Sequence, residues 1–267
     1  MHILLSNDDG ITAPGLTALY RAARQFGKVT VVAPAGGQSA MSHALTHHMP
    51  IPVRRQAVHD GDGAATLFEG WAVEGRPADC VKLALSTLVK EPIDLVLSGM
   101  NAGANIGINV LYSGTVGAAM EAAIQGLPAI AVSLHIGDPR KTRWRHAGDI
   151  AHDVIGELLK GPVTPGMMLN VNLPILDDGK EPGPMRVCPM SVSPVVDRFS
   201  LTATDPEDAY LVASTMAFHD IPAGTDVDLI FKRHITVTPL RPDMNARDQF
   251  AGWATHIDGV ASGNVNP

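Results

Sequence analysis

The chain has 267 residues, a formal net charge of −7 and only two cysteines, Cys80 and Cys188. That length buries a sizeable core, as one large domain or a domain with an appendage, and the acidic balance with dispersed Lys and Arg argues against a nucleic acid polymer held by its phosphates. Two distant cysteines in no metal or redox spacing, no basic region ahead of a signal-length apolar run and no membrane-length apolar stretch lead us to expect a cytoplasmic protein with no membrane partner.

The first strand, in MHILLSNDDG, runs into Asn7-Asp8-Asp9-Gly10. Adjacent carboxylates repel and neither favours a strand. At the C-terminal end of a central parallel strand they would stand where open α/β sheets bind ligands, and Gly10 lets the chain turn so that both face one point. The alternative is helix capping by Asp9 or Thr12 with Asp8 merely solvated. Thr12 to Phe26 carries Leu16, Leu19, Tyr20 and Ala23 on one helical face, with Thr12 as N-cap and Gly27 as stop. Lys28 to Ala33 is a β-branched strand, followed by a polar, glycine-rich loop from Pro34 to His43. Short β pieces at Ile51–Val53 and Ala65–Val73 read as hairpin or edge strands, and Pro77 opens a helix with Asp79 in its first turn.

Asp94 to Ser98 is an apolar strand of the kind covered on both faces. A loop from Gly99 to Ser113 leads into an alanine-rich helix, GTVGAAMEAAIQG, and a second buried strand, PAIAVS. A helix over Thr142 to Lys160 and a strand over Met167 to Leu173 continue the strand–helix alternation, which predicts a mostly parallel sheet with right-handed crossovers. From Pro174 the character changes. Residues 175–223 read as a β-rich extension, in part a hairpin that pairs with another subunit; 224–240 as a helix turn and closing strand returning to the 1–174 core; and 241–267 as a loosely packed tail.

Three loops after predicted strands are rich in small oxygen-bearing side chains: Asn7 to Gly10, Gly36 to His43, and Ser98 to Asn105 running on to Thr115. In a doubly wound sheet all three lie along one edge. Two Asp carboxylates, a Ser hydroxyl and an Asn carbonyl make an oxygen-only set suited to Mg²⁺, Mn²⁺ or Ca²⁺. Turn chemistry alone is the rival account of the third loop. Ser113-Gly114-Thr115 at a helix start suits a phosphate, or is an ordinary N-cap by Ser113. No Lys follows these glycines, no G-x-G-x-x-G follows the first strand and no G-x-S-x-G occurs, so P-loop, dinucleotide and serine-hydrolase readings lack support. His43 is a candidate for touching the substrate or protonating its leaving group. His47-His48 and the basic run Arg140 to Arg145 read more simply as solvated side chains.

Together the stretches ILLSNDDGITAPGL, VVAPAGGQSAMSHALT, VEGRPADCVKLAL, DLVLSGMNAGANIG, VLYSGTVGAAMEAAIQGLPAIAVS and LNVNLP resemble the SurE family, the survival protein E nucleotidases, and TDVDLIFKRHITVTPL is similar to that family's closing segment. The resemblance implies a Rossmann-like α/β core with a C-terminal extension exchanged in a homodimer or homotetramer. It implies one divalent ion per subunit, Mg or Mn, on Asp8, Asp9, Ser39 and Asn101, with Asn105, Ser113, Gly114 and Thr115 around the phosphate. The implied activity is hydrolysis of nucleoside 5′-monophosphates, with 3′-monophosphates and short polyphosphate left open, and Asp8 and Asp9 as the catalytic pair. Pro34-Ala35-Gly36-Gly37-Gln38 departs from the charged residues the family carries there. Two rivals follow: a non-catalytic nucleotide- or anion-binding oligomer using the same pocket, and a structural or chaperone-like oligomer acting through its C-terminal arm.

Overall fold

The computed structural model describes residues 1–59, 65–195, 199–203, 209–212 and 218–258. In chain order the strands of the main sheet are β1 (His2–Ser6), β2 (Lys28–Pro34), β3 (Val53–His59), β4 (Thr66–Val73), β5 (Leu95–Ala102), β6 (Ala129–Leu134), β7 (Met168–Leu173) and β8 (Gly183–Val187). β9 (Phe199–Ala203) and β10 (Ala209–Val212) form a separate antiparallel hairpin, and β11 (His234–Leu240) returns to the main sheet. The order is β3-β4-β2-β1-β5-β6-β7-β11-β8. β4, β2, β1, β5, β6 and β7 run parallel, as the alternation predicts. β3 is an antiparallel edge on β4, and β11 lies antiparallel to β7.

Helices cover both faces. α1 (Pro14–Ala23) and α4 (Trp144–Leu158) pack over one face, on Ile3, Leu5, Leu97, Ile130 and Val171. On the other face, over Leu4, Val96, Ala131 and Met168, lie α2 (Pro77–Leu83), with a π-helical turn over Ala84–Leu88, and α3 (Gly114–Ile124). Strands buried on both faces have no polar side to show, hence their near-continuous apolar runs. β1 sits between β2 and β5, so the chain leaves it to one side and later returns on the other. That reversal opens a crevice at the C-terminal ends of β1, β2 and β5, the three strands that precede the oxygen-rich loops.

Several expectations change. α1 begins at Pro14 with Ala13 as N-cap, so Thr12 does not cap it; the Asn7 side chain closes the turn instead, donating to Gly10 O at 2.9 Å and accepting from Gly10 N at 3.2 Å. β5 continues past Ser98 to Ala102, and Gly107–Tyr112 is a 3₁₀ helix, so the long loop is largely ordered backbone. Of the extension, β8 joins the main sheet beside β11 because the antiparallel turn of β11 leaves an edge to be paired, while β9 and β10 form the expected hairpin. The tail contains a short exposed helix, α6 (Phe250–Asp258), following α5 (Asp226–Phe231) and β11; residues 259–267 lie outside the described residues. Among the described residues no helix is long and apolar enough to cross a membrane.

Candidate functional site

The crevice is a cleft of about 560 Å³ whose lining includes Asp8, Asp9, Ser39, Asn101, Asn105 and Ser113. Short backbone ties bring the three loops together. Gln38 N donates to Asp8 O at 2.7 Å, and Ile11 N to Pro34 O at 2.8 Å, which docks the second loop on the first. Asp9 Oδ2 accepts the Ala102 N–H at 2.9 Å and fixes the third. Gly10 sits at φ +102, with Gly36 backbone 3.2 Å from where a Cβ would stand, so the turn tolerates no side chain there. The second loop is held from its other end as well, Ser42 Oγ donating to Leu111 O at 2.6 Å.

Asp8 is almost wholly buried against the start of α3. Its Oδ1 accepts the Thr115 hydroxyl at 2.5 Å, and a Cβ on Gly114 would stand 2.9 Å from Asp8 Cβ. Burial pushes the Asp8 carboxyl up to about 6, the Thr115 bond pulls against this, and the neighbouring Asp9 charge adds to the rise. Asp9 is also raised by burial, opposed by the Ala102 N–H. Among the described residues no Lys, Arg or His charge offsets either carboxylate.

A hard divalent cation fits this set. It would supply the missing counter-charge, and Ser39 and Asn101 add neutral oxygens on the same cleft. Asn101 donates its Nδ2 to Gly103 O at 2.8 Å, which leaves its carbonyl oxygen for a ligand. It does so from the ordered end of β5, where the register with β6 shifts between Gly99 and Asn101 and so re-aims the side chain. With only two carboxylates, the set falls short of a cage of three or more His, Cys, Asp or Glu, and none occurs among the described residues.

The helix-start residues divide. Ser113 lines the cleft while its Oγ accepts Val116 N at 3.1 Å, so it is both N-cap and cleft wall. Thr115 is fully buried with its hydroxyl donating to Asp8, and Gly114 makes room for Asp8 by having no side chain, so what these two offer a phosphate is backbone N–H rather than side chain. His43 is likewise diverted: it does not line the cleft, and its Nε2 lies 2.8 Å from Glu121 Oε2 on α3. A polar loop can turn inward as well as outward, and the buried Glu121 draws the ring in. His47 and His48 are solvent-exposed, their rings tilted against one another with centroids 5.9 Å apart. Arg143 and Arg145 are exposed at the start of α4 and do not line the cleft.

Asn105 is clamped from β7. Its N–H donates to Asn172 Oδ1 at 2.8 Å, and its carbonyl accepts from Asn170 Nδ2 at 2.8 Å and Asn172 Nδ2 at 3.0 Å. Its own amide donates to Ser133 Oγ at 2.9 Å. Ser133, Asn170 and Asn172 are fully buried polar side chains of β6 and β7, and LNVNLP carries the two asparagines in plain view. At the far end of the cleft Tyr112 is the one aromatic beside a site loop, and its partners there carry no signal in the sequence. Ile108, Asn109 and the exposed Tyr112 form one wall, and Val192 to Val195, from the extension, form the other.

These features recur in known proteins. A family model described as survival protein SurE matches residues 3–195. The chain is 41% identical over 251 residues to the 5′-nucleotidase SurE of Rhodopirellula baltica, covering 93% of this chain and 95% of that one. It is 38% identical over 254 residues to the 5′-nucleotidase SurE of Maridesulfovibrio salexigens, covering 94% and 97%. The crystal structure of the SurE protein from Aquifex aeolicus superposes with a TM-score of 0.78 at 31% identity, over 97% of this chain and 100% of that one. With the family match spanning the whole crevice and both flanking layers, the chain belongs to the SurE family.

Proposed function

We propose that the cleft hydrolyses nucleoside monophosphates at a divalent cation, Mg²⁺ or Mn²⁺, held by Asp8, Asp9, Ser39 and Asn101. The observation that carries this reading is the pair of adjacent, charge-penalised carboxylates that no Lys, Arg or His among the described residues offsets, beside neutral oxygen donors. The names of the relatives, 5′-nucleotidase SurE, support the substrate class. The cation supplies a Lewis acid that neutralises charge on the phosphoryl oxygens.

The residues of the chain do the rest. Asp8 is held in place by the Thr115 hydroxyl on its Oδ1 and by its packing against Gly114, and in this reading the attacking nucleophile is water. The water oxygen bonds to phosphorus, the bond to the ester oxygen breaks, and the proton that the water gives up ends on the departing nucleoside alkoxide. Asn105 and Ser113 hold phosphoryl oxygens in line for that displacement. Tyr112 and the Val192–Val195 wall supply an aromatic and an apolar surface for the nucleoside. The departed loop at Pro34 to Gln38 still docks on Asp8, which supports an intact site. On the β9–β10 hairpin, Phe199, Leu201, Tyr210 and Leu211 are exposed, which supports pairing with a second copy of the chain.

The test is phosphate release from a panel of nucleoside 5′- and 3′-monophosphates after chelation and addition of Mg²⁺ or Mn²⁺. Release restored by metal and lost in Asp9→Asn is expected. Nucleotide affinity with no release under any metal would replace this reading with a binding module.

A further inference from the structure

Asp226 does not line the cleft, yet it touches both of the segments that wall its far end. It is the first residue of α5 and fully buried. Its Oδ2 accepts the Gly107 N–H at 2.8 Å, across 119 residues of sequence, at the start of the turn that carries Ile108, Asn109 and Tyr112. Its Oδ1 accepts the Ser191 N–H at 2.8 Å, 35 residues away, at the start of the segment that supplies Val192 to Val195. A third bond, from Val227 N at 2.8 Å, is local.

The surroundings fit a tether rather than a cap. A helix cap needs only a local acceptor, and a buried carboxylate is a costly one: burial pushes the Asp226 carboxyl above the ordinary value, and the three backbone N–H groups pull it back. Two of those three donors belong to distant segments. Both segments close over a small apolar core of Ile106, Val227 and Ile230, with Phe218 packed against it. Ser191 in turn braces Ser193, Oγ to Oγ at 3.0 Å, and Ser193 Oγ donates to Asp220 O at 3.1 Å.

We propose that Asp226 is a specificity-positioning residue: it fixes the spacing between the Gly107–Tyr112 turn and the Ser191–Val195 segment, and with it the width of the cleft where the nucleoside lies. This deepens the phosphomonoesterase reading and rests on it. Asp8, Asp9 and Ser39 stand on other loops, and Asn105 and Ser113, which flank the turn, keep anchors of their own in Asn170, Asn172 and Val116, so loosening this tether weakens the grip on the nucleoside more than the grip on phosphate.

Steady-state kinetics on adenosine 5′-monophosphate, with inorganic phosphate and adenosine as separate inhibitors, tests the division. In Asp226→Asn one acceptor becomes an NH₂ facing an N–H, so one wall is released. In Asp226→Ser the hydroxyl is too short for Gly107 and Ser191, so both distant bonds are lost while a small polar residue stays at the start of α5. Both variants are expected to raise KM and the adenosine inhibition constant about tenfold, with kcat and the phosphate inhibition constant within about twofold of wild type. An unchanged KM in Asp226→Ser, or adenosine and phosphate constants that rise together, would overturn the proposal. If wild type turns over no phosphomonoester, the proposed function has failed, and adenosine binding by calorimetry decides this inference alone. Weakened adenosine binding in Asp226→Ser supports the tether, and equal binding sinks it.

Discussion

The two ends of the cleft are built by different means. At the acidic end, Asp8, Asp9, Ser39 and Asn101 stand on turns and strand ends that meet through short contacts: Gln38 N on Asp8 O, Ala102 N on Asp9, Thr115 on Asp8. At the far end, the Gly107–Tyr112 turn and the Val192–Val195 segment have no direct hydrogen bond to each other among those described, and buried polar side chains hold them from behind. Asp226 does so from α5, while Asn170 and Asn172 brace from β7 the Asn105 backbone, where the turn meets the phosphate position. Where donors sit directly on strand ends, geometry follows from the sheet. Where a wall is hung on buried polar groups, geometry depends on residues that never meet the ligand. Damage at the first end should abolish turnover, and damage behind the second should change binding.

The largest expected effect lies at the acidic end. Asp8→Asn and Asp9→Asn should each lower kcat more than about 100-fold, beyond the range for groups that merely orient a metal ligand. Thermal stability should hold or rise, because burial penalises both charges. Near-normal turnover in either variant, with normal metal dependence, would break the comparison at its strongest point. Gly114→Ala comes next. Its Cβ would sit 2.9 Å from Asp8 Cβ and 3.0 Å from Pro77 Cγ, both anchored groups, so Asp8 or the start of α3 must shift. Overpacking of this kind costs about 1–3 kcal/mol, and kcat should fall about tenfold or more as Asp8 is displaced. Asn172→Leu is smaller still and sits behind the wall. It strips two bonds from the Asn105 backbone and should raise KM by about tenfold with a smaller change in kcat. Thr236→Val removes a buried hydroxyl on the strand position paired with Asn172 that has no partner of its own, and should change neither constant.

The same contrast explains what the sequence made legible. The acidic end was readable because each donor follows a run whose β-branched, apolar composition marks a buried strand: Ile3 to Leu5, Val29 to Ala33, Leu95 to Leu97. A strand end fixes where the next few residues can be, so Asp8, Ser39 and Asn101 could be placed together before any coordinates. The far wall was not readable. Nothing near Val192 or Gly107 in sequence announces that a carboxylate at 226 joins them, since the contact exists only once β11 has turned back beside β7. Asn170 and Asn172 are visible in the strand pattern without revealing their role, because alternation in a strand is the same whether the polar side meets water or a buried loop. Thr12 failed as a cap for a local reason: Pro14 sets the helix start and Asn7 had already closed the turn.

His43 tests the boundary between the two kinds of construction. It belongs by sequence to the loop that carries Ser39, yet its ring points away, to Glu121. That carboxylate is 3% exposed and accepts from His43 at 2.8 Å, Lys82 at 3.0 Å and Gln125 at 2.9 Å. Burial works against its charge, but the bonds from Gln125, Lys82 and His43 win, and the Glu121 carboxyl lies below the ordinary glutamate value. Removing the imidazole leaves Lys82 and Gln125 in place, so Glu121 never becomes an uncompensated buried charge. His43→Asn should therefore cost about 1–2 kcal/mol in a denaturant titration, the worth of one charge-assisted bond, and leave kcat within about threefold. Glu121→Gln should cost more, because it turns one acceptor oxygen into a donor among groups that donate to it. A kcat lost about 100-fold in His43→Asn, with stability and KM intact, would put the ring on the leaving group after all. The acidic end would then reach across α3, and a side chain now counted as bracing would have to swing into the cleft during turnover.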